Sequence, residues 1–487
     1  MAHPRDDARR KPGKRGVPGG GGYSRGPGPS RAPRPATRRP VPADPRAVVA
    51  DWAARQMRRF PDLDIDGPDI NHLDRLDGAF ALAIHDVLVR RWITLQFLVE
   101  LHITRPWEEC PVGVRAALLV GAAQIVGMDR VPVSAAVNEA VGWTRAVAGI
   151  RASSVVNAVL RRIAELVIFS ETGEREIRES WTDRRDELPL AAGGALALAA
   201  PVLPGDANAR LEIATSMPRD LLRAWSKSMN ALDVRRLALH GLRTAPIILN
   251  ASHATSPLPP EAIAHAAPGH FVWTGEHPAL LELLRSRTDV WVQDPASSLA
   301  VESAAHLSPT LIVDACAGLG TKTRQLAATF PGAKIVATDV DRIRLGALRK
   351  TFTGHDRVTV IEFDRLIDFA EKADLVLLDV PCSNTGVLGR RIEARYRHSD
   401  RAVEGLVSTQ RQIVADTIRL LRPRRDGGGS ILYSTCSLDP RENEEQARWI
   451  VRWHDLDIVR EARRLPSGTP GEDAVNYSDG SYAALLA

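Results

Sequence analysis

The feature that most restricts this chain is a change of rhythm at Thr310. From there on, short apolar runs recur at Leu311 to Asp314, Lys334 to Asp339, Val358 to Phe363, Leu375 to Val380 and Ser430 to Thr435, with weaker ones at Leu456 to Val459 and Tyr482 to Leu486. Helical patterns separate them at Lys322 to Thr329, Arg342 to Phe352, Ala402 to Leu421 and Asn443 to His454. Repeated strand, helix, strand units need crossover connections and predict a parallel, doubly wound α/β sheet of the Rossmann-like kind. Sheets of this type bind ligands beyond the carboxyl ends of their strands. Function is therefore sought at those ends.

Two of the ends carry thiols. The run Ser430-Ile-Leu-Tyr-Ser-Thr-Cys436 follows three glycines, and Asp439-Pro440 then turns the chain away. Earlier, Leu375-Val-Leu-Leu-Asp379-Val-Pro-Cys382-Ser-Asn-Thr-Gly386 delivers a carboxylate and a second cysteine in the same manner. If these strands are neighbours, their ends lie about 5 Å apart, and Cys382 and Cys436 reach one small substrate. A lone buried cysteine is usually a small hydrophobe; a pair at adjacent strand ends points to chemistry.

The first strand ends in Asp314-Ala-Cys316-Ala317-Gly318-Leu319-Gly320-Thr321-Lys322-Thr323. Small residues let a ligand approach the backbone, and a helix begins at once. The third glycine of the dinucleotide fingerprint is Thr323 here, so the loop alone reads equally well as a tight turn. Carboxylates sharpen it. Asp339 closes the second strand, where an acidic residue takes the hydroxyls of a ribose, Asp364 ends the third, and Asp379 lies near the end of the fourth. A rim of three carboxylates suits a cofactor with a ribose, an amino group and positive charge, as in S-adenosylmethionine. A thiol beside such a methyl donor has a specific use: C5 of a pyrimidine is a poor nucleophile until a thiolate adds at C6. A carboxyl group at N3 then stabilises the adduct, a role that fits Asp379.

Ahead of the sheet, residues 44–170 show helical spacing from Asp44-Pro45 onward, then at Asn71 to His102, Val112 to Gly127, Val133 to Ala148 and Ala152 to Ile168, which predicts an all-α domain. His85 and His102 fall inside these helices and are expected to be structural. Residues 171–212 read as a linker, 213–300 as a small α+β module and 301–487 as the sheet domain. Residues 1–43 are rich in Gly, Pro, Arg and Ser and are expected to be disordered. Residues 1–46 contain twelve Arg or Lys against three Asp, so the net charge of +5 comes from this tail. Its arginines suit phosphate contacts without sequence preference, or simple solubility. Four cysteines in 487 residues make no disulfide framework, and no zinc spacing occurs. Leu188 to Gly205 is uncharged but broken by Pro189, Pro201 and Pro204. A cytoplasmic protein with reduced thiols, no membrane span and no metal is expected, and no coiled-coil heptads argue for a dimer, so a monomer is expected.

Motifs from both halves resemble known families. Asp77-Gly-Ala-Phe-Ala, Leu118-Leu-Val-Gly-Ala-Ala-Gln124, Val131-Pro-Val-Ser-Ala-Ala-Val-Asn138 and Ser154-Val-Val-Asn157-Ala-Val-Leu-Arg161 resemble the NusB-like RNA-binding domain, which implies that Arg161 and Arg162 face RNA. The loop from Asp314 to Thr323, Asp379-Val-Pro-Cys382-Ser-Asn-Thr-Gly386 and Tyr433-Ser-Thr-Cys436-Ser resemble the RNA cytosine-C5 methyltransferases of the Nop/Sun family, in the branch that carries a NusB-like front and acts on small-subunit ribosomal RNA. The resemblance implies S-adenosylmethionine as cofactor, Cys436 as nucleophile, Cys382 in product release, and cofactor contacts from Cys316 through Lys322 and from Asp339, Asp364 and Asp379. The family's loop usually reads Cys-Ala-Ala-Pro-Gly-Gly-Lys; here the proline and one glycine are replaced, which alters the backbone near the methionine part of the cofactor. Two other readings stay open: a DNA cytosine methyltransferase using Cys382, and an RNA-binding assembly factor with an inactive methyltransferase domain.

Overall fold

The computed structural model describes residues 44–487 apart from Thr172; the basic tail lies outside the described residues. The described residues begin with six α-helices: α1 (Pro45–Gln56), α2 (Arg75–Arg90), α3 (Trp92–Glu100), α4 (Val112–Gly127), α5 (Val133–Ala148) and α6 (Ile150–Leu166). Asp44 caps α1 by accepting from the Arg46 amide at 2.7 Å, with Pro45 in the first turn. Helix α4 is apolar nearly all round and forms the centre, with the other five packed against it. Trp52, Trp92, Leu118 and Leu160 fill the core. His85 lies edge-on to Trp52, 4.5 Å between ring centroids, and burial pushes it down to about 4, so it is a packed neutral ring.

The stretch from Asn71 to His102 is two helices rather than one. The chain breaks at Arg91, whose buried guanidinium donates to the carbonyls of Ala214 (2.7 Å) and Pro189. These partners lie about a hundred residues away, beyond the reach of local pattern.

Residues 171–212 are folded rather than a linker. Strands β1 (Ile177–Arg178), β2 (Glu187–Pro189) and β3 (Ala195–Ala197) form an antiparallel sheet in the order β1-β3-β2. Leu188, Leu196, Leu198 and Leu203 from this region are buried against the helical core. Glu187, fully buried, accepts from the amides of Thr182 and Arg184 and pairs with Arg178 at 3.1 Å. The low-complexity Ala and Gly run hides a segment whose apolar side chains find partners only in the helices.

Next come α7 (Ala207–Thr215), α8 (Arg219–Ser226) and α9 (Ala231–His240). The module continues with β4 (Ile248–Asn250), β5 (Ala262–Ala264), β6 (His270–Trp273), α10 (His277–Ser286) and β7 (Trp291–Val292), an antiparallel sheet ordered β5-β6-β4-β7. Helix α11 (Pro295–Ser303), capped by Asp294, leads into the large sheet.

That sheet contains β8 (Leu311–Asp314), α12 (Thr321–Thr329), β9 (Lys334–Ala337), α13 (Arg342–Thr351), β10 (Val358–Val360), β11 (Leu375–Asp379), α14 (Ala394–Arg397), α15 (Asp400–Thr417), β12 (Ser430–Thr435), α16 (Glu444–His454), β13 (Ile458–Arg464) and β14 (Ser481–Leu486). The order is β10-β9-β8-β11-β12-β14-β13. The first five strands in this order are parallel; β14 runs antiparallel to both β12 and β13. The sheet is thus mixed at its C-terminal edge, because β14 inserts between β12 and the exposed, Arg-rich β13. Successive residues alternate between faces, so Ile312 packs with Leu326 and Leu348 while Val313 packs with Val414 and Ile450. The winding reverses between β8 and β11, which opens a crevice at their carboxyl ends. No helix among the described residues is long and apolar enough to cross a membrane.

The helical front and the sheet domain share a buried polar joint. Arg395 in α14 donates to the carbonyls of Gly241, Leu388 and Arg90. Next to it, the Tyr396 hydroxyl donates to the Val89 carbonyl at 2.6 Å and pairs with Ser216. Arg90 answers by donating to the carbonyls of Arg243 and Gly389.

Candidate active site

Parallel pairing of β11 and β12, with Asp379 opposite Ser434, brings the two predicted cysteine loops side by side. Beyond the strand ends the sulfurs of Cys382 and Cys436 are 3.2 Å apart. Cys382 is buried and Cys436 half-buried. The hydrogen bond to Cys436 and desolvation push the Cys382 thiol well above its ordinary range. Cys436 Sγ also lies 3.2 Å from Asn384 Oδ1, while Asn384 Nδ2 donates to the Cys382 carbonyl at 2.9 Å. Asn384 adopts a left-handed conformation (φ 58°), which asparagine tolerates better than most side chains. Gly386 is required for a different reason: a Cβ there would sit 2.7 Å from the Cys436 carbonyl oxygen and 2.8 Å from that of Gly480.

On the other side, Asp379 accepts from Lys322 Nζ at 2.8 Å and from Ser434 Oγ at 3.1 Å. Burial alone would lower the Lys322 ammonium, but Asp379 outweighs it and holds the lysine above its usual range. The predicted cofactor loop and the predicted acid are therefore in direct contact across β8 and β11.

The loop from Cys316 to Lys322 is shaped by two glycines with positive φ, 57° at Gly318 and 91° at Gly320. A Cβ on Gly318 would meet open space, whereas one on Gly320 would lie 2.6 Å from the Phe352 ring. Gly320 caps α12, whose first residue is Thr321. Ala317 anchors the loop through its amide to the Thr338 carbonyl, and Leu319 is exposed. Asp339 is buried and accepts from the amides of Gly318 (3.0 Å) and Asp341 (2.8 Å). Burial, then Asp314, Asp379 and Asp339, push the Cys316 thiol far up, which disfavours its thiolate. Asp314, fully buried at the end of β8, accepts from Thr323 Oγ1 at 2.7 Å and is pushed up by desolvation to about 7.

Asp364 departs from expectation. Strand β10 ends at Val360, and Asp364 follows on an exposed 3-10 turn, Phe363–Phe369, outside the hydrogen-bond network that joins Asp339, Asp379 and the loop. The apolar Phe363 prolonged the strand pattern but belongs to the turn.

Two residues escape sequence reading. Glu442, fully buried, accepts from Ser383, Ser437 and Gln410. In sequence it looks like the acidic first turn of the helix after Pro440. Arg390 bridges the buried carboxylates of Asp479 (2.7 Å) and Asp294 (3.1 Å), tying the module to the sheet domain; only tertiary proximity reveals it.

Comparison with known proteins agrees with the two halves. Residues 304–471 match the family model described as 16S rRNA methyltransferase RsmB/F, and residues 54–165 match the NusB family. Residues 304–471 are thus those of an RsmB/F-type methyltransferase domain, behind a NusB-type domain at 54–165. The small-subunit ribosomal RNA methyltransferase B of Xanthomonas campestris is 27% identical over 443 residues, 85% of this chain and 89% of that protein. Its counterpart in Shewanella oneidensis is 36% identical over 210 residues, covering 40% of this chain and 47% of that protein. The crystal structure of PH0851, 19% identical, covers 91% of this chain and 98% of its own with a TM-score of 0.65, which shows a shared fold. The RsmB/F match contains all the cysteine and carboxylate positions discussed here except Asp294 and Asp479.

Proposed function

We propose that this chain methylates C5 of a cytosine in small-subunit ribosomal RNA, with S-adenosylmethionine as methyl donor and Cys436 as nucleophile. The observation that carries the reading is the 3.2 Å approach of two thiols beside the Lys322–Asp379 pair.

The loop's residues fit such a cofactor. Gly318 faces free space, Asp339 presents a carboxylate already oriented by two amides, and Leu319 and Val340 leave apolar side chains exposed at the rim. Residues Cys316 to Lys322, with Asp339, would hold it; when bound, it supplies an electrophilic methyl group. Asp364, exposed on its turn, is the least supported of the proposed contacts.

The two thiols differ in a way that assigns roles. Cys382 is buried and its thiolate disfavoured, whereas Cys436 is more open. Nucleophilic attack follows thiolate availability and access, so Cys436 adds to C6. This favours the RNA-type assignment over a DNA-type one, in which Cys382 attacks. C5 then takes the methyl group, its proton leaves, and expulsion of the Cys436 sulfur restores the aromatic ring. Cys382, in hydrogen-bonding reach of that sulfur, is suited to proton exchange during release. Asp379, fixed by Lys322 and Ser434, is suited to hydrogen-bonding N3 of the base. The base must leave its stack to reach the crevice, and exposed Arg161 and Arg162 on α6 give the helical front a surface for phosphates.

Transfer of labelled methyl from S-adenosylmethionine to ribosomal RNA is the test. Cys436→Ala abolishes incorporation, and Cys382→Ala leaves a protein–RNA adduct that survives a denaturing gel. Incorporation unaffected by Cys436→Ala would overturn the reading.

A further inference from the structure

Glu442 and its neighbour Asn443 grip both cysteine loops. The Glu442 carboxylate accepts from the Ser383 amide at 3.0 Å, from the Ser383 and Ser437 hydroxyls, and from Gln410 Nε2 at 3.0 Å. Gln410 uses the same amide to donate to the Pro381 carbonyl at 3.1 Å. Asn443 Nδ2 donates to the Ser437 carbonyl at 2.9 Å, and its Oδ1 accepts from Thr435. The residues immediately before and after each cysteine, Pro381 and Ser383, Thr435 and Ser437, are thus held from one point on the chain. Tyr433 fixes that point by donating to the Glu442 carbonyl at 2.7 Å.

A buried carboxylate carries a heavy desolvation cost. The four donors that meet this one are all neutral groups. Packing alone would be served by an apolar side chain at no such cost. Two loops that must keep their sulfurs in register, by contrast, need an acceptor with several lone pairs, and only a carboxylate offers enough for four donors.

We propose that Glu442 is a positioning residue that sets the separation of Cys382 and Cys436, in support of the two-thiol chemistry read above. In Glu442→Gln an amide group faces donors where an acceptor stood, and the two loops part. A separate strap, Gly386 amide to Cys436 carbonyl and Gly480 amide to Gly386 carbonyl, is independent of Glu442 and keeps the loops folded.

The test uses the full chain without RNA or cofactor. Diamide oxidises two neighbouring thiols to a disulfide and is itself reduced to the hydrazine, and peptide mass mapping counts the Cys382–Cys436 link. A displacement on the order of 1 Å at a reacting centre costs about 100-fold in rate. Glu442→Gln is therefore expected to slow cross-linking about tenfold or more and kcat by about 100-fold, with KM for RNA and for S-adenosylmethionine changed less than about threefold. A merely structural role would lower thermal stability and leave cross-linking and kcat per folded molecule unchanged, which would overturn the proposal. If Glu442→Gln does not fold, Ser437→Ala and Ser383→Ala decide: each removes one hydroxyl from the clamp and slows cross-linking, and wild-type rates in both would overturn it. Methylation that survives Cys436→Ala sinks the chemistry but not a Glu442-dependent cross-link, so the two failures are distinguishable.

Discussion

Substituting Lys322→Met keeps the length of the side chain and removes its charge, which isolates the ion pair with Asp379. The two groups are 2.8 Å apart with side chains 14% and 34% exposed, between the extremes of a surface pair and a buried one. Exposed pairs contribute roughly 0.2–1 kcal/mol, and stranding one partner of a fully buried pair costs roughly 3–5 kcal/mol. Partial exposure of Asp379 places this pair at about 1–3 kcal/mol, nearer the lower figure because solvent screens it. Chemical denaturation of Lys322→Met, Asp379→Asn and the double variant closes a cycle from which the coupling is read. A coupling below about 0.5 kcal/mol would refute the pair as a single unit. The pH dependence supplies a second check. Burial would lower the lysine, but Asp379 raises it above its usual range. A raised lysine contributes its stability in full below the ordinary lysine value and loses it as pH climbs through the raised one. The coupling is therefore constant from about pH 6 to 9 and decays only in more alkaline solution.

Gly320→Ala should destabilise by roughly 2–4 kcal/mol, from a left-handed alanine and from a Cβ 2.6 Å from Phe352, and calorimetry with S-adenosylmethionine should show weakened binding; an unchanged melting curve would contradict the packing. Asp314, pushed up to about 7, favours folding while protonated, so its contribution is present in acid and lost as pH rises from about 4 through about 7. Asp314→Asn mimics the protonated form, and the stability of wild type relative to this variant should fall between about pH 4 and 7, by about 1.4 kcal/mol per unit at most, and level off above. Arg390→Ala strands the carboxylates of Asp294 and Asp479, with a loss of roughly 3–5 kcal/mol, and Asp479→Asn added to it should restore part of that stability in the same denaturation assay.

What sequence made legible followed the range of the forces involved. Local periodicity located the strands of the large sheet and the helices around it, because each pattern is set by the next few residues. The thiols were found because both follow apolar runs that stop at a sheet edge, and their proximity needed only that β11 and β12 be neighbours. Asp379 was found for the same reason, but its partner Lys322 was read as part of the cofactor loop without the ion pair. Signals failed where partners are distant: the break at Arg91 depends on carbonyls of Pro189 and Ala214, and the buried sheet at 177–197 depends on a helical core. Asp364 failed for the opposite reason, since a single aromatic residue extended a strand that backbone pairing ends at Val360. Glu442 was hidden by its resemblance to a solvated helix start.

The joint built by Arg90, Arg395 and Tyr396 bears on how this protein can be cut. Arg395 and Tyr396 lie on α14, downstream of Cys382, and beyond the local Leu388 carbonyl their donors end on carbonyls of α2 and of the 241 region. A fragment that starts at residue 301 would keep the Arg395 bonds to the Ile392 and Leu388 carbonyls but lose those to Arg90 and Gly241, and would strip the Tyr396 hydroxyl of both Val89 and Ser216. The methyltransferase half is therefore no detachable cassette: grafting it onto another RNA-binding partner would require carrying along the last turn of α2 and the stretch from Ser216 to Gly241.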